Sequence, residues 1–367
     1  MSSTIGNRVR LSIFGESHGE AIGCVLDGLP AGEPLCMEEI LRQMDRRAPG
    51  RDQTATTRRE SDVPRLVSGV LNGRTTGAPL AMIIQNENQR SGDYGNLNRL
   101  PRPGHADYPG HVRYDGYNDI RGGGHFSGRL TAPLVCAGAV CRQILERRGI
   151  TVGAHILRVA DVEDACFDPV NLQAETLRAL SQAGPLPLLD PDKAPFLRAA
   201  VEEARLQADS VGGVIEAAAV GLPAGLGSPM FDGVENRLAP LLFGIPAVKG
   251  VEFGEGFGFA SLRGSQANDP YAYDEKGAVV TTSNHNGGVT GGITNGMPLL
   301  CRVVIKPTSS IGQKQRTVDL ETGREAELIV KGRHDPCIVP RAVPVVEAAL
   351  ALGLLDLLES EACALRP

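Results

Sequence analysis

Residues 20–32 read EAIGCVLDGLPAG and residues 212–225 read GGVIEAAAVGLPAG. Both are runs of apolar and small residues that close on Gly-Leu-Pro-Ala-Gly. A short apolar run bounded by Gly and Pro reads as a strand entering a tight turn. Its appearance in both halves points to internal duplication of a β-rich unit, with chance reuse of one turn as the alternative. Upstream, Val9, Leu11 and Ile13 alternate within residues 8–14, RVRLSIF, and predict a strand leading into the first copy. Further strands are expected near 248–253 and 300–305. Ile40, Leu41 and Met44 recur at helical spacing over 37–47, and Leu134, Val135, Ile144 and Leu145 do so over 131–148. A last helix is expected over 343–358, with Pro340 and Pro344 near its start, where proline is tolerated. Residues 50–62 and 86–128 lack periodicity and read as loops, and the acidic, Pro-rich 161–195 reads as a surface excursion. The expected class is α+β, one domain over 1–367 with halves at about 1–160 and 196–367.

A chain of 367 residues, 42% of them hydrophobic, can bury a large core. The 45 glycines imply many places where backbone turns sharply or comes close to something. No stretch reads as a signal peptide or a membrane span; the most apolar, 343–358, is interrupted by Glu347 and Asp356. The eight cysteines form no C-x-x-C pair and no zinc-type spacing, so they read as reduced, no metal is expected, and the setting reads as cytoplasmic. A net charge of −6 argues against a nucleic-acid partner. Before Lys193 every Lys or Arg is Arg. Arginine is the better fork for phosphate and carboxylate, although genomic base composition explains the overall bias equally well.

Chemistry concentrates in four places. Arg121-Gly122-Gly123-Gly124-His125-Phe126-Ser127-Gly128-Arg129 precedes the 131–148 helix, so converging N–H groups, a helix N-terminus and two arginines suit an anion. A Gly-rich turn needed only for packing is the alternative. His18 and His105 each lie in a loop beside Gly and an acid, where histidine suits general acid work, with a purely structural role as the alternative. Lys306-Pro307-Thr308-Ser309-Ser310 ends an apolar run and offers a cation with three hydroxyls, below a Gly-rich stretch at 287–292. Gly332-Arg333-His334-Asp335-Pro336 places acid, base and cation in one loop, with an Asx-type turn as the competing reading. Together these predict a pocket for a polyanionic small molecule, without fixing the reaction.

GESHGEAIGCVLDGLPAG, RRAPGR, SGVLNGRTTGAPLA, QRSGDY, RPGHADY, DIRGGGHFSGR, VKGVEFGEGF, SNHNGGVTGGI, KPTSS and KGRHDPCIVPRAVPV resemble, in order and over about 8–350, the chorismate synthase family. The resemblance implies a β-α-β sandwich with an internal pseudo-two-fold repeat. It implies a carbon–oxygen lyase of the shikimate pathway to aromatic amino acids. That lyase removes phosphate and a ring proton from 5-enolpyruvylshikimate-3-phosphate by anti 1,4-elimination, giving chorismate. Reduced FMN would be needed without net redox change, supplied by an NAD(P)H-dependent flavin reductase; the family's associations with FAD and NADP come with it. Catalysis would fall to His18, His105, Asp335, Ser17 and Ser127. His18 would protonate the leaving phosphate, His105 would set flavin protonation, and Asp335 would assist removal of the ring proton. Cofactor contacts would be Arg47, His125, Phe126, Ser127, Pro246, Ala247, Gly291, Lys306, Pro307, Thr308, Ser309, Ser310 and Arg333. Substrate contacts would be Arg47, Arg51, Arg102, Arg121, Arg129 and Arg341. Members are typically homotetramers. Many relatives have Arg and a hydroxyl where this chain has His125 and Phe126, and Arg where Gln53 stands. A catalytically impaired homologue that binds a flavin or an anionic metabolite is a second reading, and an RNA-binding module a third.

Overall fold

The computed structural model describes residues 3–50, 62–86, 97–330 and 335–364. In the first half β1 (Thr4–Ile5), β2 (Arg10–Gly15), β3 (Ala21–Asp27), β4 (Arg65–Ser68), the hairpin of β5 (Val70–Leu71) and β6 (Arg74–Thr75), and β7 (Leu80–Gln85) follow in turn. Five of these form an antiparallel sheet in the order β1-β2-β3-β7-β4. In the second half come β8 (Thr151–Val159), β9 (Val162–Glu163), β10 (Gly213–Val220) and β11 (Val248–Phe253). After them come the hairpins β12–β13 (Tyr271–Tyr273, Val279–Thr281) and β14–β15 (Val289–Thr290, Ile293–Thr294), and then β16 (Leu299–Ile305). The second antiparallel sheet has the order β11-β16-β10-β8-β9, and a last hairpin joins β17 (Gln315–Asp319) to β18 (Arg324–Leu328).

The helices are α1 (Met37–Arg47), α2 (Asp107–Arg113), α3 (Thr131–Arg147), α4 (Ala174–Gln182), α5 (Ala194–Leu206), α6 (Val234–Phe243), the short α7 (Gly264–Ala267) and α8 (Val339–Ala364). α3 packs on the first sheet, α8 on the second, and the two pack on each other, with α1 and α6 alongside. A helical layer between two sheets results, and one apolar cluster runs through all three layers. α3 is buried on nearly every side from Thr131 to Leu145, not along one stripe, because it is covered by a sheet and by α8. Small residues permit this: a side chain at Gly138 would overlap Ala348 of α8.

The two acids that interrupt the apolar run of α8 join the layers. Glu347 is 2% exposed and accepts from Arg46 Nη2 (3.0 Å), Arg142 Nη1 (3.1 Å) and the Ala154 N–H (3.1 Å). Asp356 accepts from the backbone N–H groups of Asn7, Arg8 and Val9 and from Arg237 Nη2 (2.6 Å). A buried carboxylate is tolerated only when its lone pairs are taken up in this way. Across the second sheet His155, Glu216, Arg302 and Glu252 stand side by side in register on β8, β10, β16 and β11. His155 lies between Asp164 (3.0 Å) and Glu216 (3.1 Å), and Arg302 joins Glu216 to Glu252.

β3 and β10, the strands of the two GLPAG stretches, are each the third strand of a five-stranded sheet. The turns after them are fastened alike. Thr75 Oγ1 donates to Pro30 O (2.6 Å) and Thr294 Oγ1 to Pro223 O (2.7 Å). The N–H groups of Gly32 and Gly225 donate to the carbonyls of those threonines, both at 2.8 Å. Two differences from the sequence expectation stand out. The 86–128 region contains α2, and 161–195 contains α4, whose Leu177 and Leu180 are buried against the second sheet. Of the expected loop at 50–62, residues 51–61 lie outside the described residues. No described helix is long and apolar enough to cross a membrane.

Candidate active site

A cavity of about 750 Å3 opens where the starts of α3 and α8 meet the loops 101–107 and 306–310. That is ample for a small molecule with a cofactor, since such sites span roughly 300–1,000 Å3. Among the described residues its wall carries Arg47, Arg102, Arg129, Lys249, Lys306 and Arg341 and one carboxylate, that of Asp335. Six cations thus gather in one concave site on a chain of net charge −6, four of them held by the carboxylates of Asp62, Asp107 and Asp335. The lining also has apolar groups, Ile245, Pro246, Ala247, Ala342 and Val345.

The glycine run is a floor for the two histidines. Gly122, Gly123 and Gly124 have φ of 61°, 86° and 54°. A Cβ on Gly122 would overlap Nδ1 and Cε1 of His18, and one on Gly123 would come within 3.2 Å of His105 Cε1. Ser17 is fixed to the same run, its N–H donating to Gly124 O (3.1 Å). His18 is 3% exposed and lines the cavity. The expectation of an anion nest is thereby joined by a packing reason: glycine at 122 lets the His18 imidazole come this close, and a side chain at 123 would crowd His105. Ser127 caps the turn before α3, its Oγ accepting from the Arg129 N–H (3.3 Å).

His105 is held from one side. Its Nδ1 is 2.6 Å from Asp107 Oδ1, and Arg102 donates to the same carboxylate through its backbone N–H (2.9 Å), Nε (2.7 Å) and Nη2 (2.8 Å). Burial alone would raise the Asp107 carboxyl; hydrogen bonds from Arg102 and His105 outweigh it and hold the group well below the usual carboxylate range. Arg102 Nη1 also donates to Ser310 Oγ (3.0 Å). Lys306 Nζ donates to Gly104 O and to Ser309 Oγ (2.9 Å), and Thr308 Oγ1 donates to Asp335 O (3.0 Å). Burial, aided by nearby Lys249, lowers the pKa of the Lys306 ammonium. Ala247, whose carbonyl takes the Lys306 N–H, sits at φ 74°, a strained conformation for a residue with a side chain.

Asp62 stands between two arginines. It accepts from Arg47 Nη1 (2.7 Å) and from Arg129 Nη1, and is itself buried. Burial would raise its pKa; the two guanidinium charges lower it further than burial raises it. Arg47, 3% exposed, also donates to Thr131 Oγ1 (3.1 Å) and Gly128 O (3.0 Å). Arg341, in the first turn of α8, donates to Asp335 Oδ2 (2.5 Å) and to Arg47 O (3.1 Å).

Most of the residues expected from sequence line this one cavity: Ser17, His18, Arg47, Arg102, His105, His125, Phe126, Ser127, Arg129, Pro246, Ala247, Lys306 to Ser310, Asp335 and Arg341. Arg121 and Gly291 do not. The fork of Arg121 is taken by Asp119, with Nε to Oδ1 at 2.9 Å and Nη2 to Oδ2 at 2.8 Å, and its side chain is half exposed. Gly291 is in the turn between β14 and β15, at φ 62°, where a left-handed hairpin turn favours glycine. Arg51 and Arg333 lie outside the described residues. His125 lines the cavity with both ring nitrogens engaged, Nδ1 donating to Gly15 O (2.8 Å) and Nε2 at 2.7 Å from Ser3 Oγ. It therefore does not stand in for an anion-gripping arginine. Phe126 packs beside Tyr114, ring centroids 6.1 Å apart. Sequence reading missed Asp62, Asp107 and Lys249. Asp107 was signalled, as the acid two residues after His105; Asp62, in an aperiodic polar stretch, was not.

The family model described as chorismate synthase matches residues 9–358. A chorismate synthase of Thermococcus kodakarensis is 50% identical over 354 residues, covering 96% of each chain. One of Korarchaeum cryptofilum is 48% identical over 353 residues, again covering 96% of both, and one of Chloroflexus aggregans is 44% identical over 354. A solved structure, titled as the crystal structure of chorismate synthase, superposes with a TM-score of 0.75 at 29% identity, over 97% of this chain and 93% of that one. Matches over nearly the full length, together with the shared fold, show that this chain belongs to the chorismate synthase family.

Proposed function

We propose that this chain is a working carbon–oxygen lyase that converts 5-enolpyruvylshikimate-3-phosphate to chorismate with loss of phosphate. The observation that carries the proposal is the convergence of His18, His105 and six cations on one cavity that also has apolar groups in its lining. A phosphate and two carboxylates need several fixed cations, and arginines already oriented by Asp62, Asp107 and Asp335 lose little entropy on binding them. His18, set in the cavity wall by the glycine floor, is read as the general acid for the departing phosphate. Asp335 is read as the group that attends the departing ring proton, with Ser17 and Ser127 orienting the polar network. Arg47 is read as a clamp for its neighbours, since it is buried and its guanidinium donates to Asp62, Thr131 and Gly128.

The apolar lining groups and the 306–310 loop suit a flat ring with an anionic tail, so reduced FMN fits here: Lys306 and the hydroxyls of 308–310 would take the phosphate. When bound, it would supply electron density transiently to the substrate, with no net redox change. His105 would hold the proton balance beside it. A flavin reductase as its source, a homotetramer and a cytoplasmic setting belong to the same proposal. Exposed Phe231, Phe257, Tyr271 and Tyr273 offer apolar surface for a second copy. The paired strands and matching turns support a duplicated unit: Gly69-Val70, Gly73, Thr75, Gly77 and Pro79-Leu80 recur as Gly288-Val289, Gly292, Thr294, Gly296 and Pro298-Leu299. The test is His18→Ala and His105→Ala, assayed anaerobically with reduced FMN. Each is expected to slow turnover by roughly 10²-fold or more, the scale of general acid–base groups. Near-normal rates in both would refute these roles.

A further inference from the structure

Resting on the role just given to His105, we infer that Asp107 is a positioning residue for His105 and that Arg102 ties this pair to the 306–310 loop. The geometry is a chain of four groups. Ser310 Oγ accepts from Arg102 Nη1, Arg102 grips Asp107 through Nε and Nη2, and Asp107 Oδ1 lies 2.6 Å from His105 Nδ1. Arg102 and Asp107 are both buried, so the contact between them is not loosened by solvent. The Arg102 Nη2 is also 3.1 Å from His105 Nδ1, but an arginine offers no acceptor there. The nearer carboxylate oxygen therefore accepts a hydrogen bond from Nδ1–H, which keeps its proton, and Nε2 is left as the working nitrogen. The second restraint is Gly123, where an added Cβ would come within 3.2 Å of Cε1 and 3.3 Å of Nε2, so the backbone there leaves the ring little room to swing. An imidazole fixed at one nitrogen by a locked carboxylate keeps one tautomer and one ring plane.

Two properties follow. His105 presents the same nitrogen to the cavity in every turnover, without waiting for a rotamer or tautomer change. The loop read as gripping the cofactor's anionic tail is wired, through Ser310 and Arg102, to the residue read as controlling protons beside the ring. Seating of the tail and orientation of His105 are thereby coupled.

The test is a double-mutant cycle with Asp107→Asn and His105→Ala, reading kcat and KM from phosphate release. Asn keeps the shape but removes the charge. Asp107→Asn is expected to lower kcat by about 30-fold or more with KM within threefold, and to add less than threefold in the His105→Ala background. An equal kcat loss in both backgrounds, or a loss confined to KM, would overturn the inference while leaving the role of His105 intact. A near-normal His105→Ala enzyme would remove that role, and this inference with it. Asp107→Glu, which keeps a carboxylate for Arg102, covers the case of a misfolded Asn variant. It too must lose kcat in the parent and add less than threefold in His105→Ala; a loss that persists without His105 would overturn the inference.

Discussion

Replacing Gly122 with Ala tests the glycine floor. The added Cβ would overlap two ring atoms of His18 and lie 2.9 Å from Ser17 Oγ. Carbon–carbon contacts relax at about 3.5–4.0 Å, so the ring must retreat by about 1 Å or more. The φ of 61° adds strain of about 1 kcal/mol for a residue with a side chain. A misplacement of about 1 Å at a reacting group costs on the order of 10²-fold in rate. Gly122→Ala is therefore expected to stay folded, to lose about 10²-fold in kcat, and to bind substrate nearly as well. Gly123→Ala meets His105 at 3.2 Å, a tight approach that a small shift relieves, and is expected to lose less. Phosphate release under anaerobic conditions with reduced FMN gives the rates; urea denaturation separates rate loss from unfolding. A Gly122→Ala enzyme within threefold of the parent, or one impaired less than Gly123→Ala, would refute the reasoning.

Three further outcomes follow from buried charges. Glu347→Gln leaves Arg46 and Arg142 without their carboxylate and is expected to cost about 3–5 kcal/mol of stability in urea titration. Asp62→Asn weakens the hold on the two arginines that Asp62 now braces, and substrate KM is expected to rise by about tenfold or more while the far-UV circular dichroism is unchanged; an unchanged KM counts against the clamp. Burial would lower the pKa of His155, but hydrogen bonds and charges of Asp164 and Glu216 outweigh it and raise it above its usual value. A raised folded pKa contributes stability in full below the unfolded value of about 6.5 and loses it as pH rises through the folded value. The stability gap between parent and His155→Gln is thus expected to be widest near pH 6 and to narrow toward alkaline pH; a gap constant with pH would contradict the charged ladder.

The strands and helices with a clear period were legible in sequence, because a run such as 8–14 or 37–47 must show its buried face. α3 was legible as a helix but not as a central one, since a helix covered on both sides differs from a striped one only in small residues such as Ala137 and Gly138. Glu347 and Asp356 looked like breaks in an apolar run; their partners are distant in sequence, at Arg46, Arg142 and Asn7 to Val9, so nothing local announced them. The cavity was partly legible, as arginines and histidines beside glycines. The acids behind those arginines were less so: a carboxylate that orients a guanidinium carries no pattern of its own. Arg121 and Gly291, expected at the site from the resemblance, are not among the groups that line this cavity.

The most direct test of the proposed reaction is to incubate the purified chain anaerobically with 5-enolpyruvylshikimate-3-phosphate, with and without reduced FMN, and to follow phosphate and chorismate together. Equal amounts of both are expected, only when reduced flavin is present, with the flavin still reduced at the end. No phosphate under either condition, or phosphate released without need of the flavin, would contradict the reading of this cavity.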